Sequence, residues 1–463
     1  CKGALDKFIE SNRLCSLWEL RPVTTREEVI IGTVKKYLDD FWFREGSSLV
    51  SSYNELHAHG RLGSGMNILA RDSDLYTKLF DSKLSSSSES LLFVWEKLTS
   101  TDLRWANAER KRHTTYGSGI VPGNKLSFVN KNVTVARSIC TEPTINMWFQ
   151  LGMGAILERR LAEFFGIDIR NQQGINGALA RVGSETGRFA TIDLESASDS
   201  VSLGLCAAIL PREWQVWLMA LRSPYVTLPD GTVRELSMLS SMGNGFTFPM
   251  QSIIFSAVVA AVYANRGIPL RKHGPAGCRN FGVFGDDIIV ETDAAREVIS
   301  TLRLFGFRVN SSKTFVEGPF RESCGQDFYL GAWCRGVYIK RLRHAQDAYA
   351  AINGLNRWSA LTGLSLPNLV GALVKWVHKP TWVPPDEDDD SGICVPLDKA
   401  RGVTHQKHGL IRYSKRVALA DTLEVNEDGS IVCGKNVRKR TSNPNGLLLC
   451  FLHGSIRGYR ISL

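Results

Sequence analysis

Hydrophobic and polar positions follow two different periods along the chain. In residues 27–42 and 88–100 apolar side chains recur every three or four positions, which predicts amphipathic helices in this first part of the chain. Between residues 114 and 136 the composition changes to Gly, Asn, Thr and Val, which favours strands and turns. After Pro143 a long apolar helix is predicted to end at Gly166.

The middle third of the chain alternates between strands and helices. The pattern predicts a strand over residues 187–193, a helix over 199–210 and a longer apolar helix over 251–264. Residues 280–292 predict two apolar strands joined by a tight turn at Gly285–Asp286. We therefore expect an α+β fold in which a ββαββ-like antiparallel sheet has helices packed behind it.

The composition of the chain indicates a class of binding partner but does not indicate an activity. The 463 residues are 43% hydrophobic and 22% charged, which is typical of a globular protein with two or three subdomains. The formal net charge of +10 favours a polyanionic partner, although charge alone does not distinguish RNA from DNA, a membrane surface or a need for solubility. The ten cysteines include no CxxC pair, so we expect reduced thiols rather than a zinc site.

No segment predicts a membrane partner. The longest apolar run, from Ile253 to Ala264, is shorter than a bilayer requires and predicts a buried helix. The first residues, CKGALDKFIE, lack the apolar core of a signal peptide. Because the sequence begins with Cys1 rather than Met, the true N-terminus stays open.

The candidate chemistry comes from aspartates at the ends of apolar strands. Asp286 and Asp287 would project from the tip of the predicted hairpin, where Gly285 frees the backbone to turn. Asp193 ends the strand predicted earlier in the chain. Carboxylates on rigid backbone can hold two Mg²⁺ ions about 4 Å apart, which is the arrangement used for phosphoryl transfer. A simple Gly-Asp turn is the alternative for this hairpin.

A second group of polar residues lies close to these aspartates in sequence. We expect Asp199 to cap the next helix, to contact the ribose of a nucleotide, or both, since the two roles are compatible. The loop SSMGNGFTF is either a glycine-rich helix entry or a loop that senses template and ribose. Its candidate residues are Ser241, Gly243, Asn244, Gly245 and Thr247.

These motifs together resemble a known family. The matching stretches run in the family's order from about residue 124 to 324: ARSICTEPTINMWFQLG, GIDIRNQQGIN, ATIDLESASDSVSL, LRSPYVTLPDG, SSMGNGFTF, FGDDIIV and KTFVEGPFRESCG. The chain resembles the catalytic replicase subunit of positive-strand RNA bacteriophages, the leviviruses of Qβ type. This resemblance implies a right-hand polymerase with fingers, palm and helical thumb.

The resemblance also implies roles for individual residues. The metal set, for two Mg²⁺ ions with Mn²⁺ able to substitute, is Asp193, Leu194, Asp286 and Asp287. Lys313 matches the general acid for the pyrophosphate leaving group, with a solvated lysine as the alternative. The nucleotide-binding residues implied are Lys131, Arg137, Asp199, Ser241, Asn244 and Thr247. The RNA and primer-grip residues implied are Gly243, Gly245, Arg321, Glu322 and Cys324, of which the last three favour structural support of the palm.

The sequence departs from the family pattern at a few positions. Phe284 stands where the family usually has Tyr, and we expect its packing to survive the loss of the hydroxyl. The fingers stretch NKNVTVAR has fewer lysines than the family pattern. The chain is also short for the family, which puts the usual host-factor contacts in question.

The resemblance implies subdomain boundaries and an activity for the chain. We expect fingers over residues 1–185, a palm over 186–345 with a fingers insertion at about 211–240, and a basic thumb over 346–463. The expected function is RNA-directed RNA polymerase, replicating a phage genome by two-metal nucleotidyl transfer with primer-independent initiation. A reverse transcriptase and a non-catalytic RNA-binding scaffold are the alternatives.

The resemblance also implies partners and a location. The expected ligands are single-stranded RNA template, RNA product and NTPs. The host proteins implied are elongation factors Tu and Ts and ribosomal protein S1, in the cytoplasm of the infected bacterium.

Overall fold

The computed structural model describes residues 2–130, 136–339, 341–396, 399, 404–405, 411–416, 423–425, 431–433, 443–452 and 461–462. Lys131, a predicted nucleotide ligand, lies outside the described residues. The helices of the first third are α1 Lys2–Leu17, α2 Thr25–Trp42, α3 Tyr53–Ala58, α4 Leu75–Phe80, α5 Glu89–Ser100 and α6 Leu103–Tyr116. The later helices are α7 Thr144–Phe165, α8 Ile169–Thr186, α9 Leu203–Ile209, α10 Arg212–Leu221, α11 Thr247–Asn265, α12 Thr292–Leu304, α13 Ala345–Thr362, α14 Pro367–Trp376 and α15 Pro444–Leu452.

The strands are short and mostly antiparallel. Those before residue 240 are β1 Phe43–Arg44, β2 Ser47–Ser48, β3 Leu84–Ser86, β4 Ser118–Ile120, β5 Gly123–Asn130, β6 Ala136–Thr141, β7 Phe189–Ile192, β8 Leu194–Glu195, β9 Tyr225–Thr227 and β10 Val233–Glu235. Those up to residue 394 are β11 Phe281–Phe284, β12 Asp287–Glu291, β13 Arg308–Val309, β14 Phe320–Ser323, β15 Gln326–Tyr329, β16 Ala332–Trp333, β17 Trp382–Val383 and β18 Ile393–Cys394. The last are β19 Thr404–His405, β20 Ile411–Arg412, β21 Leu423–Val425, β22 Ile431–Cys433 and β23 Ile461–Ser462.

The central sheet consists of β11, β12 and β7 in that order, all antiparallel. Successive side chains of a strand point to opposite faces, and here both faces are buried. Ile288 and Val290 belong to the main core with α11 and α12, while Ile289 packs with Leu179 of α8 on the other face. Burial on both sides explains why the interior positions of these strands are mostly apolar.

The helix behind this sheet is buried along its length. Among the described residues, α11 alone is long and apolar enough to cross a membrane by length and composition, and 89% of that stretch is buried inside the protein. A core helix of a globular protein meets the same criteria. The predicted buried helix is therefore confirmed.

The α+β class is confirmed, whereas the sheet differs in detail from the predicted ββαββ arrangement. Its three strands are followed by separate pairings, in which β13 joins β8 and β14 joins β15 and β16. β8 begins only at Leu194, so β13 pairs beyond the end of β7 and does not extend the central sheet. The subdomain boundaries stay predictions.

Two elements from later in the chain, β9 and α15, contact elements of the N-terminal half. β9 pairs with β5, and the segment predicted as an insertion, about residues 211–240, thereby completes a four-stranded sheet in the order β10, β9, β5, β6. α15 packs against α4 and α6, where the side-chain amide of Asn443 donates to the carbonyl oxygen of Ala108 at 2.8 Å.

A buried acid in this half makes the stability depend on pH. Burial raises the pKa of Glu142 above its ordinary value of 4.5, although three neutral side chains donate hydrogen bonds to the carboxylate. The native state therefore keeps a proton that the unfolded chain releases. This contribution to stability is complete below pH 4.5 and is lost as the pH rises through the raised pKa.

The variant Glu142→Gln should lack this loss, because an amide does not titrate. The side-chain oxygen of Asn124 is buried and has no hydrogen-bond partner among the described residues, so a turned Asn124 amide can accept a hydrogen bond from the new NH₂ group. Urea unfolding at about pH 5 and about pH 8 measures the change in free energy. We expect the wild type to lose more stability than the variant over this interval. Equal losses would contradict the raised pKa.

Candidate active site

The strand register brings the predicted catalytic aspartates together. Ile288 of β12 pairs with Ile192 of β7, so the next position along both strands sets Asp287 opposite Asp193. Asp286 lies beside them in the turn between β11 and β12. The predicted hairpin is thus confirmed, and its tip meets the end of the neighbouring strand.

Gly285 is required at this turn. Its φ of +59° lies in the left-handed region, and a Cβ atom there would come 2.5 Å from the ring of Phe248. Its amide donates to the hydroxyl of Ser252 on α11 at 3.0 Å, which anchors the turn to the buried helix. The same Phe248 ring packs edge-on against Phe284 with centroids 4.8 Å apart, so the expected packing without a tyrosine hydroxyl is present.

The carboxylates repel one another in a partly buried setting. Burial, together with the charges of Asp286 and Asp287, raises the pKa of Asp193 to about 6. Burial also raises the pKa of Asp287, with a further contribution from Asp286. A cation between these groups would remove the repulsion, which is the electrostatic condition that a divalent metal satisfies.

Two elements hold the aspartates in place. The side-chain amide of Asn310 donates to Asp193 Oδ2 at 2.7 Å, and the backbone amide of Asp193 donates to the hydroxyl of Thr314 at 3.2 Å. The backbone amide of Cys324 donates to Asp287 Oδ1 at 3.0 Å. The loop after β13 therefore orients one acid, and the hairpin of β14 and β15 orients the other.

The sequence analysis missed several of these supporting residues. Asn310, Thr314 and Asn176 carry no spacing signal of their own. Asn176 of α8 donates to the backbone carbonyl of Asp287 and to the hydroxyl of Ser323, both at 3.3 Å. The one shared signal is the polar run NSSKT, which begins at Asn310, ends at Thr314 and follows a short apolar segment.

Lys313 lies close to the acids but has a partner. Its ammonium group is 3.5 Å from Glu322 Oε1, and Arg335 lies 3.9 Å from the same oxygen. The charge of Lys313 also opposes the raised pKa of Asp193, so the two groups interact electrostatically. The Lys313 side chain is about half-exposed.

Arg321 supports the central sheet from inside. It is 1% exposed and its guanidinium group donates to backbone carbonyls, including that of Phe189 in β7 at 2.6 Å. Its contacts continue at the carbonyls of Gly318, Phe320 and Val316. This geometry fits the structural support expected for the hairpin.

Asp199 lies beside the glycine-rich loop rather than at a helix start. The helix-capping alternative is wrong: α9 begins at Leu203, and the hydroxyl of Ser202 accepts the capping hydrogen bond. Burial raises the pKa of Asp199 to about 6, although the backbone amide of Met242 donates to its carboxylate. Asp199 and the loop therefore form one unit.

The loop contains a polar group without a partner in the protein. The side-chain NH₂ group of Asn244 is buried and makes no hydrogen bond among the described residues. Ser241 lies against the thiol of Cys140, while the hydroxyl of Thr247 donates to Ser240 at 2.7 Å. An unpaired buried donor marks a place where a ligand can supply the acceptor.

Two further residues were predicted for the site, Arg137 and Leu194. The first lies at the surface, and the second offers only its backbone. Arg137 is exposed on β6, opposite Val129 of β5. Leu194 follows Asp193 directly and its side chain is buried, so only its carbonyl oxygen is suited to an ion. All assigned roles in the site stay predictions.

The donor set fits Mg²⁺ by its chemistry, since the three carboxylates and a carbonyl supply only oxygen ligands. Within the described part of the chain, no three Asp, Glu, His or Cys side chains converge into a ready metal cluster. Asp193, Asp286 and Asp287 are the residues that would hold the ions.

The chain belongs to the RNA replicase beta-chain family, whose sequence profile matches residues 80–421. The resemblance inferred from the motifs is thereby confirmed. It is 41% identical over 260 residues to the RNA-directed RNA polymerase subunit beta of Escherichia virus Qbeta, covering 56% of this chain and 42% of that protein. It is 40% identical over 283 residues to the RNA-directed RNA polymerase beta chain of Escherichia phage MS2, covering 60% and 49%. The chain thus spans a little under half the length of these relatives.

Among solved structures, the RNA-dependent RNA polymerase of a human picobirnavirus is similar at 11% identity and a TM-score of 0.48. The likeness covers 81% of this chain and 73% of that one.

The contact from Asn310 to Asp193 should matter for metal binding. Residues that orient a metal ligand typically change metal affinity roughly 10- to 100-fold when removed. We expect Asn310→Ala to weaken Mn²⁺ binding by about tenfold or more, measured by calorimetry. Asn171→Ala is the matched control, because Asn171 donates to the surface carboxylate of Asp168 at 3.4 Å. Equal affinity in both variants would show that Asp193 needs no such support.

Proposed function

We propose that this chain is the catalytic part of an RNA-directed RNA polymerase that copies a phage genome by two-metal nucleotidyl transfer. The observation that carries the proposal is the placement of Asp193 opposite Asp287, with Asp286 beside them, in a member of the replicase beta-chain family. Three repelling carboxylates at the tips of rigid strands suit divalent cations better than any purely structural role.

The proposed chemistry divides between the ions and the protein. When bound, Mg²⁺ activates the 3′ hydroxyl group of the growing strand and neutralises the triphosphate. Asn310 and the Cys324 amide keep the carboxylates in place, so no rearrangement is needed during the reaction. Lys313 is half-exposed next to the acids and would donate a proton to the pyrophosphate leaving group.

The loop next to Asp199 favours ribonucleotides. The unpaired NH₂ group of Asn244 is a donor suited to a ribose hydroxyl, and Asp199 is an acceptor held against the same loop. The 2′ hydroxyl group is the feature by which a site distinguishes RNA from DNA. These contacts favour RNA synthesis over the reverse-transcriptase alternative.

A scaffold without catalysis is a weaker alternative. Repelling, partly buried acids destabilise a fold, and nothing in RNA binding alone requires them. An RNA scaffold would need cationic groups at this position instead.

The proposed ligands are a single-stranded RNA template, its RNA product and NTPs, with initiation that needs no primer. The relatives are described as a beta subunit or beta chain. We propose that this chain also works with further subunits in the cytoplasm of an infected bacterium. Elongation factors Tu and Ts and ribosomal protein S1 are the candidates.

Replacing one acid at the hairpin tip tests the assignment. The experiment measures magnesium-dependent NTP incorporation on single-stranded RNA, with and without bacterial host extract. We expect Asp286→Asn to lower synthesis by at least about a thousandfold, because electrostatic stabilisation is usually the largest catalytic contribution.

Asp293→Asn is the matched control, since Asp293 is an exposed acid of α12 and its change removes the same charge. It should retain wild-type synthesis. Equal synthesis by the Asp286 variant and the wild type would refute the metal assignment. RNA binding without any synthesis, even in the presence of extract, would support the scaffold alternative.

A further inference from the structure

A buried hydrogen-bond network connects Glu142 to the loop assigned to the ribose and template. Glu142 is 1% exposed and Gln150 of α7 is fully buried. The side-chain NH₂ group of Gln150 donates to Glu142 Oε2 and to the carbonyl oxygen of Leu221, both at 3.0 Å. Both N–H bonds of this amide are therefore used by acceptors on one side.

This arrangement determines where the other end of the amide points. Gln150 Oε1 accepts a hydrogen bond from the backbone amide of Gly245 at 3.3 Å. A flipped amide would set its oxygen against the carbonyl oxygen of Leu221 and its NH₂ group against the Gly245 N–H. Both contacts would be repulsive, and two buried groups would lose their partners. The Leu221 carbonyl, which can only accept, thereby fixes the orientation of the amide, and Glu142 accepts its second N–H bond.

The loop packs on α7 and β6 without space for adjustment. A Cβ atom on Gly245 would come 2.7 Å from the backbone nitrogen of Leu151, and one on Gly154 would come 2.5 Å from the carbonyl oxygen of Gly245. A Cβ atom on Gly243, whose φ is +118°, would come 2.1 Å from the carbonyl oxygen of Cys140. The backbone of this loop therefore takes its position directly from the two elements beneath it.

Asn244 depends on the same backbone. Its side-chain oxygen accepts a hydrogen bond from the Phe246 amide at 2.9 Å, which turns its unpaired NH₂ group away from the turn. The Gly245 amide held by Gln150 lies between these two residues in the chain. A shift at Gly245 would thus move the donor that faces the ribose.

We infer that Gln150, oriented by the Leu221 carbonyl and Glu142, is a positioning residue for ribonucleotide selection, acting through the Gly245 amide on Asn244. The inference rests on the proposed polymerase function. It assigns to a buried amide, which makes no hydrogen bond to the three aspartates among the described residues, a role in choosing the nucleotide rather than in the chemical step.

The test replaces Gln150 by Met, which keeps the length of the side chain and removes its hydrogen bonds. We expect the KM for NTPs to rise and the preference for NTPs over dNTPs to fall by about five- to tenfold, the effect of one lost hydrogen bond. The kcat at saturating NTP should change little, since the aspartates are untouched. A purely structural role would lower the active fraction without altering the preference.

Asn146→Leu is the matched control on the same helix. Asn146 is a buried amide that donates to the same Leu221 carbonyl at 3.2 Å and to Ser87, but within the described residues it makes no hydrogen bond to the loop. We expect it to lower the melting temperature while it leaves the NTP preference unchanged. An equal loss of preference in this control would overturn the inference, because it would indicate general loosening of α7.

The outcomes separate the two proposals. A wild-type chain that makes no RNA with host extract would count against the polymerase function itself. RNA synthesis with an unaltered preference in Gln150→Met would overturn only the positioning role. If that variant fails to fold, Gln150→Asn replaces it, since its amide is one methylene too short to join Glu142 with Gly245. We expect Gln150→Asn to show the same loss of preference for NTPs over dNTPs. An unchanged preference in this variant would again overturn the inference.

Discussion

The antiparallel register between β12 and β7 is the constraint on which the candidate active site depends. A slip of one residue would turn every side chain of β12 to the opposite face. Such a slip would remove Ile288 and Val290 from the main core and Ile289 from its contact with α8. Since both faces are buried, the apolar side chains fix the register. The opposition of Asp287 and Asp193 follows from packing alone, without any attraction between the two acids.

Asp193 and Asp287 destabilise the fold that brings them together. Burial and mutual repulsion raise the pKa of Asp193 and Asp287, so their ionised forms are less stable in the folded chain than in water. The protein compensates with local donors, the Asn310 amide and the Cys324 backbone amide. Both donors come from segments that follow β12 in the chain and return to the tip of the central hairpin. The site is therefore completed only when tertiary structure forms.

Periodicity and turn residues were enough to predict the elements but not their supporting partners. The end of α7 at Gly166, the hairpin at Gly285 and the buried α11 each depend on local pattern, and each is confirmed. The aspartates were predicted because strand ends and a glycine turn are visible in sequence. The roles of Asn310 and Gln150 were not predicted, because Asn310 lies 117 residues from its partner Asp193 and Gln150 lies 95 residues from its partner Gly245. A single polar residue in a sequence does not indicate a partner at such a distance. The capping alternative for Asp199 failed because the chain forms a short 3₁₀ turn there before Ser202 caps α9.

The three aspartates and the network around Gln150 are two different kinds of polar environment. The aspartates repel one another, which helps to raise the pKa of Asp193 and Asp287. By contrast, Gln150 is fully paired, and the guanidinium group of Arg222 donates to three backbone carbonyls. A fully paired network resists rearrangement, whereas an unpaired group gains from binding a ligand. The glycine-rich loop, in which the Asn244 NH₂ group is a buried donor without a partner among the described residues, is therefore rigid in backbone and open in hydrogen bonding. That combination is what selection of a nucleotide requires, because a donor discriminates between ribose and deoxyribose only if it cannot move to make up for a missing hydroxyl group.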